Sequence, residues 1–61
     1  MVSDKFLRLR QVIEITGLKR TQIYRYMRAG EFPRQIKIGH ASVAWLASEI
    51  DEWIIRKSNQ R

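Results

Sequence analysis

Seven side chains able to meet a nucleic acid, Lys19, Arg20, Thr21, Gln22, Tyr24, Arg25 and Arg28, fall within ten consecutive positions, and no acidic residue stands between Thr16 and Gly30. Arginine offers a planar fork that matches guanine O6 and N7, and a threonine can bond a phosphate or touch a thymine methyl. A tyrosine hydroxyl can bond a phosphate oxygen. At 100° per residue, Thr21, Arg25 and Arg28 share one side of a helix with Tyr24 beside them, while Ile23 and Met27 lie opposite with Tyr26 on their flank. A merely solvated helix face would mix Glu with Lys, and this one does not. The chemistry is that of a helix reading base edges in a major groove, with its flanks on phosphates. The bland alternative is a basic helix with no partner.

A second group, Arg34, Gln35, Lys37 and His40, sits where the period changes from helical to alternating. Such residues on a hairpin beside a reading helix track the backbone or the adjacent minor groove. Any hairpin needs polar outward residues, however, and His40 also reads simply as a turn residue. Glu49, Asp51 and Glu52 resemble paired catalytic carboxylates only in spacing. Their place at a helix start explains them by the helix dipole, and a chain this short has no room for a substrate cleft.

The elements that must position these groups follow from the apolar pattern. Leu9, Val12, Ile13 and Ile15 give a first amphipathic helix over Leu9–Thr16, and Gly17 suits the left-handed residue that ends it. A second helix runs from about Lys19 to Ala29 and stops at Gly30. Two short helices around a glycine-containing turn are a helix-turn-helix. Pro33 breaks the helical pattern and pushes Phe32 into extended conformation. Gln35–Ile38 then reads as a strand, Gly39-His40-Ala41 as a turn, and Ser42–Leu46 as the returning strand. Ile36 and Ile38 are expected to face the core with Val43 and Trp45, leaving Gln35 and Lys37 outward. Ser48 is expected to cap a last helix, with Asp51 three residues on, and Ile50, Trp53 and Ile54 form its buried stripe. Trp45 and Trp53 read as core rather than as a stacking platform. The fold class is therefore mainly α with a small β-hairpin, a winged helix-turn-helix. Met1–Lys5 and Lys57–Arg61 read as fraying ends, leaving an ordered core of about residues 6–57.

Composition agrees with a polyanion partner. The 61 residues carry twelve Lys/Arg against six Asp/Glu, a net charge of +6 and a pI near 10.6. Residues 5–37 hold nine basic side chains against two acidic ones, a net of +7, while in residues 38–61 the charges cancel. This length allows one small domain, residues 1–61. The absence of cysteine excludes disulfides, thiolate metal sites and a cysteine nucleophile, and the single histidine cannot assemble a zinc site. Neither a metal nor a cofactor is expected, nor an enzymatic activity. No apolar run approaches the roughly 20 residues of a membrane span, so the expected compartment is the cytoplasm.

The run Val12–Met27 with its Thr16-Gly17-Leu18 turn and Ile23-Tyr24-Arg25 helix, then Gly30-Glu31-Phe32-Pro33, Lys37-Ile38-Gly39 and Val43–Ile54 with Ser48-Glu49-Ile50-Asp51, resembles the AlpA family of prophage regulators. These are small MerR-like winged-helix proteins related to excisionases, and the resemblance covers about Phe6 to Arg56. It implies sequence-specific binding of double-stranded DNA, at promoters or attachment sites of a prophage or genomic island. The role implied is transcriptional regulator, excisionase (recombination directionality factor) or both, in the bacterial nucleoid, with an integrase or further copies of the chain as partners. The reading helix corresponds to Lys19–Arg28. Members often carry Ser or Thr where Lys19 and Gln22 stand, and a basic wing tip where this chain has Ala41. The competing reading is a protein-interaction adaptor whose basic face docks on an acidic partner such as an integrase.

Overall fold

The computed structural model describes residues 4–60. Along the chain these form strand β1 (Phe6–Leu7), helix α1 (Leu9–Thr16), helix α2 (Arg20–Arg28), strands β2 (Ile36–Lys37) and β3 (Val43–Leu46), and helix α3 (Ala47–Ser58). The three strands form one antiparallel sheet in the order β1-β3-β2. Three helices with this small sheet make a winged helix-turn-helix, as the periodicities require.

The α1–α2 turn is built by three residues. The Thr16 hydroxyl donates to the Val12 carbonyl at 2.7 Å and accepts from the Leu18 amide at 3.2 Å. Gly17 takes φ +76° and closes the helix through its amide to the Ile13 carbonyl, a conformation costly for any residue with a Cβ. Leu18 then packs against the core. That core joins Leu7, Val12, Ile23, Trp45 and Ile50, one residue from every element but β2, with Phe32 from the connection between α2 and β2. Burial of such side chains is the main stabilising term available to a chain of this size.

Two tryptophans fix the segment between α2 and the sheet. Gly30, at φ +77°, ends α2, with the Glu31 amide returning to the Tyr26 carbonyl at 2.8 Å. The indole N–H of Trp53 then donates to the Glu31 carbonyl at 2.8 Å, and that of Trp45 to the Pro33 carbonyl at 3.1 Å. Buried Phe32 lies edge-on to Trp53, with ring centroids 4.9 Å apart. Trp45 is core, as expected, while Trp53 is half-buried and packs against it, and both indoles spend their one polar group on this linker.

Several expectations are corrected. The sheet has a third strand, β1, which the two-residue segment Phe6–Leu7 is too short to announce by periodicity; it pairs Phe6 with Leu46 and Leu7 with Trp45. Asp4 and Lys5 are engaged rather than free, since Lys5 accepts from the Ala47 amide at 2.9 Å. At the other end α3 extends to Ser58, and Gln60 still bonds back to Lys57. Met1–Ser3 and Arg61 lie outside the described residues. The hairpin register places Ile36 opposite Ala44 and Lys37 opposite Val43, so Ile36 does not share a face with Trp45. Ile38 is 39% exposed. The alternation misleads because β3 is the central strand: Ala44 and Trp45 are consecutive and both fully buried.

Ser48 does not cap α3. The helix begins at Ala47 directly from β3, with Leu46 at the cap position and no side-chain bond of its own. The cap comes from outside: the Asp4 carboxylate accepts from the Ser48 amide at 3.1 Å and from the Ser48 hydroxyl at 2.7 Å. These two bonds, the hydroxyl first, hold the Asp4 carboxyl below its ordinary pKa, aided by the Lys5 amide and opposed by desolvation.

Trp45→Phe keeps most of the buried ring but strips the Pro33 carbonyl of its donor. It should cost about 2 kcal/mol, and Trp53→Phe about 1 kcal/mol because that ring is half-buried; urea midpoints at fixed slope check both. Because the folded-state pKa of Asp4 is depressed, its contribution is complete above the unfolded value and fades as pH falls through the lower folded value. Asp4→Asn should therefore lower thermal stability at neutral pH and flatten the acid limb of the melting-temperature profile. An unchanged acid limb would show that this carboxylate does not govern it.

Candidate nucleic-acid interface

Helix α2 presents the expected residues on the expected side. Its bounds, Arg20–Arg28 with Lys19 and Ala29 as caps, bracket the reading helix within a residue. Lys19, Arg20, Thr21, Arg25 and Arg28 are exposed, Ile23 is fully buried, and Tyr26 and Met27 pack against the core. The face opposite Ile23 is thus free of both acids and core contacts. No acid occupies the first turn, so Arg20 adds its charge to the positive end of the helix dipole. That placement is unfavourable in the free helix and favourable beside an anion.

Gln22 and Tyr24 are less free than their types suggest. The Gln22 side-chain carbonyl accepts from the Lys19 amide at 2.9 Å, forming half of a capping box that lysine cannot complete. Its amide NH₂ is the group left to meet a ligand. Tyr24 is half-buried, its ring edge-on to Trp45 with centroids 6.5 Å apart. Its hydroxyl donates toward the Gln35 side-chain carbonyl at 3.4 Å, a long bond that nevertheless joins the helix to the root of the wing.

The wing residues divide in the same way. Arg34, Lys37 and His40 are exposed and Gln35 is half-buried. Lys37 lies in β2 opposite Val43, while His40 lies in the tip between Ile38 and Ser42, which is closed by the Ile38 amide on the Ser42 carbonyl at 2.9 Å. Arg34 follows the pinned carbonyl of Pro33 and therefore stands beside α2 rather than at the tip. Arg34 and His40 thus belong to opposite ends of the hairpin strand. Tyr24, Met27, Arg28, Arg34 and Gln35 together line one open groove of about 470 Å³ between the end of α2 and the wing root.

One feature the sequence reading passed over is the start of α1. There the Gln11 side-chain carbonyl accepts from the Arg8 amide at 2.9 Å, as Gln22 does for Lys19. Arg8 and Arg10 are both exposed. The repeated spacing, a basic residue followed three positions later by glutamine, is visible in the sequence and marks both helix starts as cationic and acid-free.

Comparison with known proteins places this geometry in a family. The chain is 43% identical over 54 residues to the uncharacterized protein ORF88 of Enterobacteria phage P4, an alignment covering 88% of the chain. It spans 61% of that relative's length. It is 36% identical over 59 residues to the DNA-binding transcriptional activator AlpA of Escherichia coli K12, covering 87% of the chain and 84% of that protein. The family described as the prophage CP4-57 regulatory protein (AlpA) matches residues 5–58, which take in α1, α2, the tryptophan-pinned linker, the wing and all of α3. The chain belongs to the AlpA family of prophage regulatory proteins.

Proposed function

We propose that this chain is a sequence-specific binder of double-stranded DNA, a regulator encoded by a prophage or genomic island that acts on promoters, on attachment sites as an excisionase, or on both. The observation that carries this reading is the exposed, acid-free face of α2, held rigidly over a core that Ile23 anchors. In this reading Arg20, Thr21, Arg25 and Arg28 enter the major groove with Lys19, Gln22 and Tyr24 at its margins. Arg34, Gln35, Lys37 and His40 support them on the backbone. Residues 1–61 act as one DNA-binding unit in the cytoplasm, without cofactor and without catalysis.

A protein this small buries on the order of 600–1,000 Å² on DNA, the scale of a single recognition module. One copy then binds with modest specificity, and neighbouring copies or an integrase on adjacent sites supply the rest through effective concentration. About five phosphate contacts correspond to a slope of log affinity against log salt near −4 to −5.

The test is a gel shift with salt titration, on duplex from beside the protein's own gene and on random duplex of equal length. Arg25→Ala should lose roughly 10-fold or more on the specific duplex and little on the random one, since a good bidentate base contact is worth about 1–3 kcal/mol. Lys37→Ala should weaken both alike and flatten the salt slope by about 1. Equal losses on both duplexes from Arg25→Ala would remove it from base readout. Weak, sequence-blind binding by the unaltered protein would favour the adaptor reading instead.

A further inference from the structure

The open depression between the end of α2 and the wing root is lined by two arginines, Arg28 and Arg34, together with Tyr24, Met27 and Gln35. Arg28 is the last residue of α2, and its backbone is held by the turn that ends the helix, in which Gly30 bonds to the Met27 carbonyl at 3.1 Å and Glu31 to the Tyr26 carbonyl at 2.8 Å. Arg34 comes six residues later, directly after the proline whose carbonyl the Trp45 indole holds. Between them lie Met27, Tyr24 and Gln35, with the Tyr24 hydroxyl on the Gln35 carbonyl at 3.4 Å and the Tyr24 ring braced against Trp45. The two guanidinium-bearing side chains are exposed, whereas Tyr24, Met27 and Gln35 are half-buried.

We propose that Arg28 and Arg34 act as a pair on a single phosphate of the duplex backbone, received in this groove where the reading helix meets the wing. The proposal rests on the DNA-binding reading above and deepens it. It moves Arg28 from base readout to the backbone, and it makes Arg34 a partner of the helix rather than of the wing tip. Three observations carry it. The backbone of each arginine is pinned independently, so the entropy cost of bringing two long side chains to one anion is reduced. Arginine forks suit a phosphate's oxygens, and two of them can share the two non-bridging oxygens of one phosphodiester. No carboxylate lines the groove itself, although Arg34 also borders the neighbouring depression that holds Glu31, Glu49 and Glu52, and the Gln35 amide NH₂ supplies a further donor. Tyr24 and Gln35 are in this account positioning residues, setting the depth at which the phosphate stops.

The experiment walks a single neutral methylphosphonate linkage across the specific duplex and measures affinity for the unaltered protein, Arg28→Ala, Arg34→Ala and the double variant. The expected result is one linkage whose neutralisation weakens the unaltered protein about 10-fold and at which both single variants lose their sensitivity together. The double variant should then lose markedly less than the product of the two single losses, as residues sharing one partner do. Loss of sensitivity at two different linkages, or multiplicative losses, would overturn the pairing while leaving DNA binding intact. Failure of the unaltered protein to prefer the specific duplex over a random one would overturn the parent reading itself, and is read before any modified duplex is used. Both substituted arginines, Arg28 and Arg34, are exposed, and circular dichroism establishes that each variant is folded; Tyr24→Phe, which removes the hydroxyl from the groove, should weaken the discrimination between charged and neutral phosphate at that same linkage and nowhere else.

Discussion

The arrangement of this molecule hangs on two indole N–H groups. Helix α2 and the wing are separated by only seven residues, Ala29–Gln35, and this connection has no regular structure of its own to set their angle. Trp53 holds it at Glu31 and Trp45 holds it at Pro33, while Phe32 between them is pressed into the core. One donor comes from α3 and the other from β3, so the linker is tied to two elements that are themselves continuous in the chain. These two bonds, with the burial of Phe32 between them, set where the wing stands relative to the face of α2.

The same device connects stability to the proposed interface. Trp45 is fully buried among Leu7, Val12, Ile23 and Ile50, and its edge also supports Tyr24. Tyr24 in turn reaches Gln35 at the wing root. A single ring therefore touches the core, the reading helix and the linker. The exposed arginines need no such packing themselves, because the backbone that carries them is already constrained at Gly17, Gly30 and Pro33.

What was legible in the sequence was what periodicity and charge record. The acid-free stretch between Thr16 and Gly30, the helical spacing of Ile23 and Met27, and the two punctuating glycines fixed α2 to within a residue and its outer face entirely. The wing was visible as a change of period. What was hidden depends on pairings across the chain: β1 is two residues long, Asp4 reaches a helix 44 positions away, and the facing of Ile36 follows from a register that no local pattern encodes. The alternation rule assumes one wet face, and the central strand has none. Among the site residues, exposure followed from type and position, whereas the occupation of the Gln22 carbonyl and the Tyr24 hydroxyl by neighbours did not.

The direct passage of β3 into α3, with Leu46 in the strand and Ala47 already helical, leaves no spare chain at that junction. The α1–α2 turn is closed by Thr16 and Gly17 with Leu18 in the core, and the α2–β2 connection is nailed at both ends. Length change is accommodated readily at the wing tip around Gly39, His40 and Ala41, which are all exposed. Evolution of such a protein has two separable dials. In the DNA-binding reading proposed above, substitution on α2 changes which bases are preferred and a change of length at the tip changes the wing's reach, with neither disturbing the frame that holds the other.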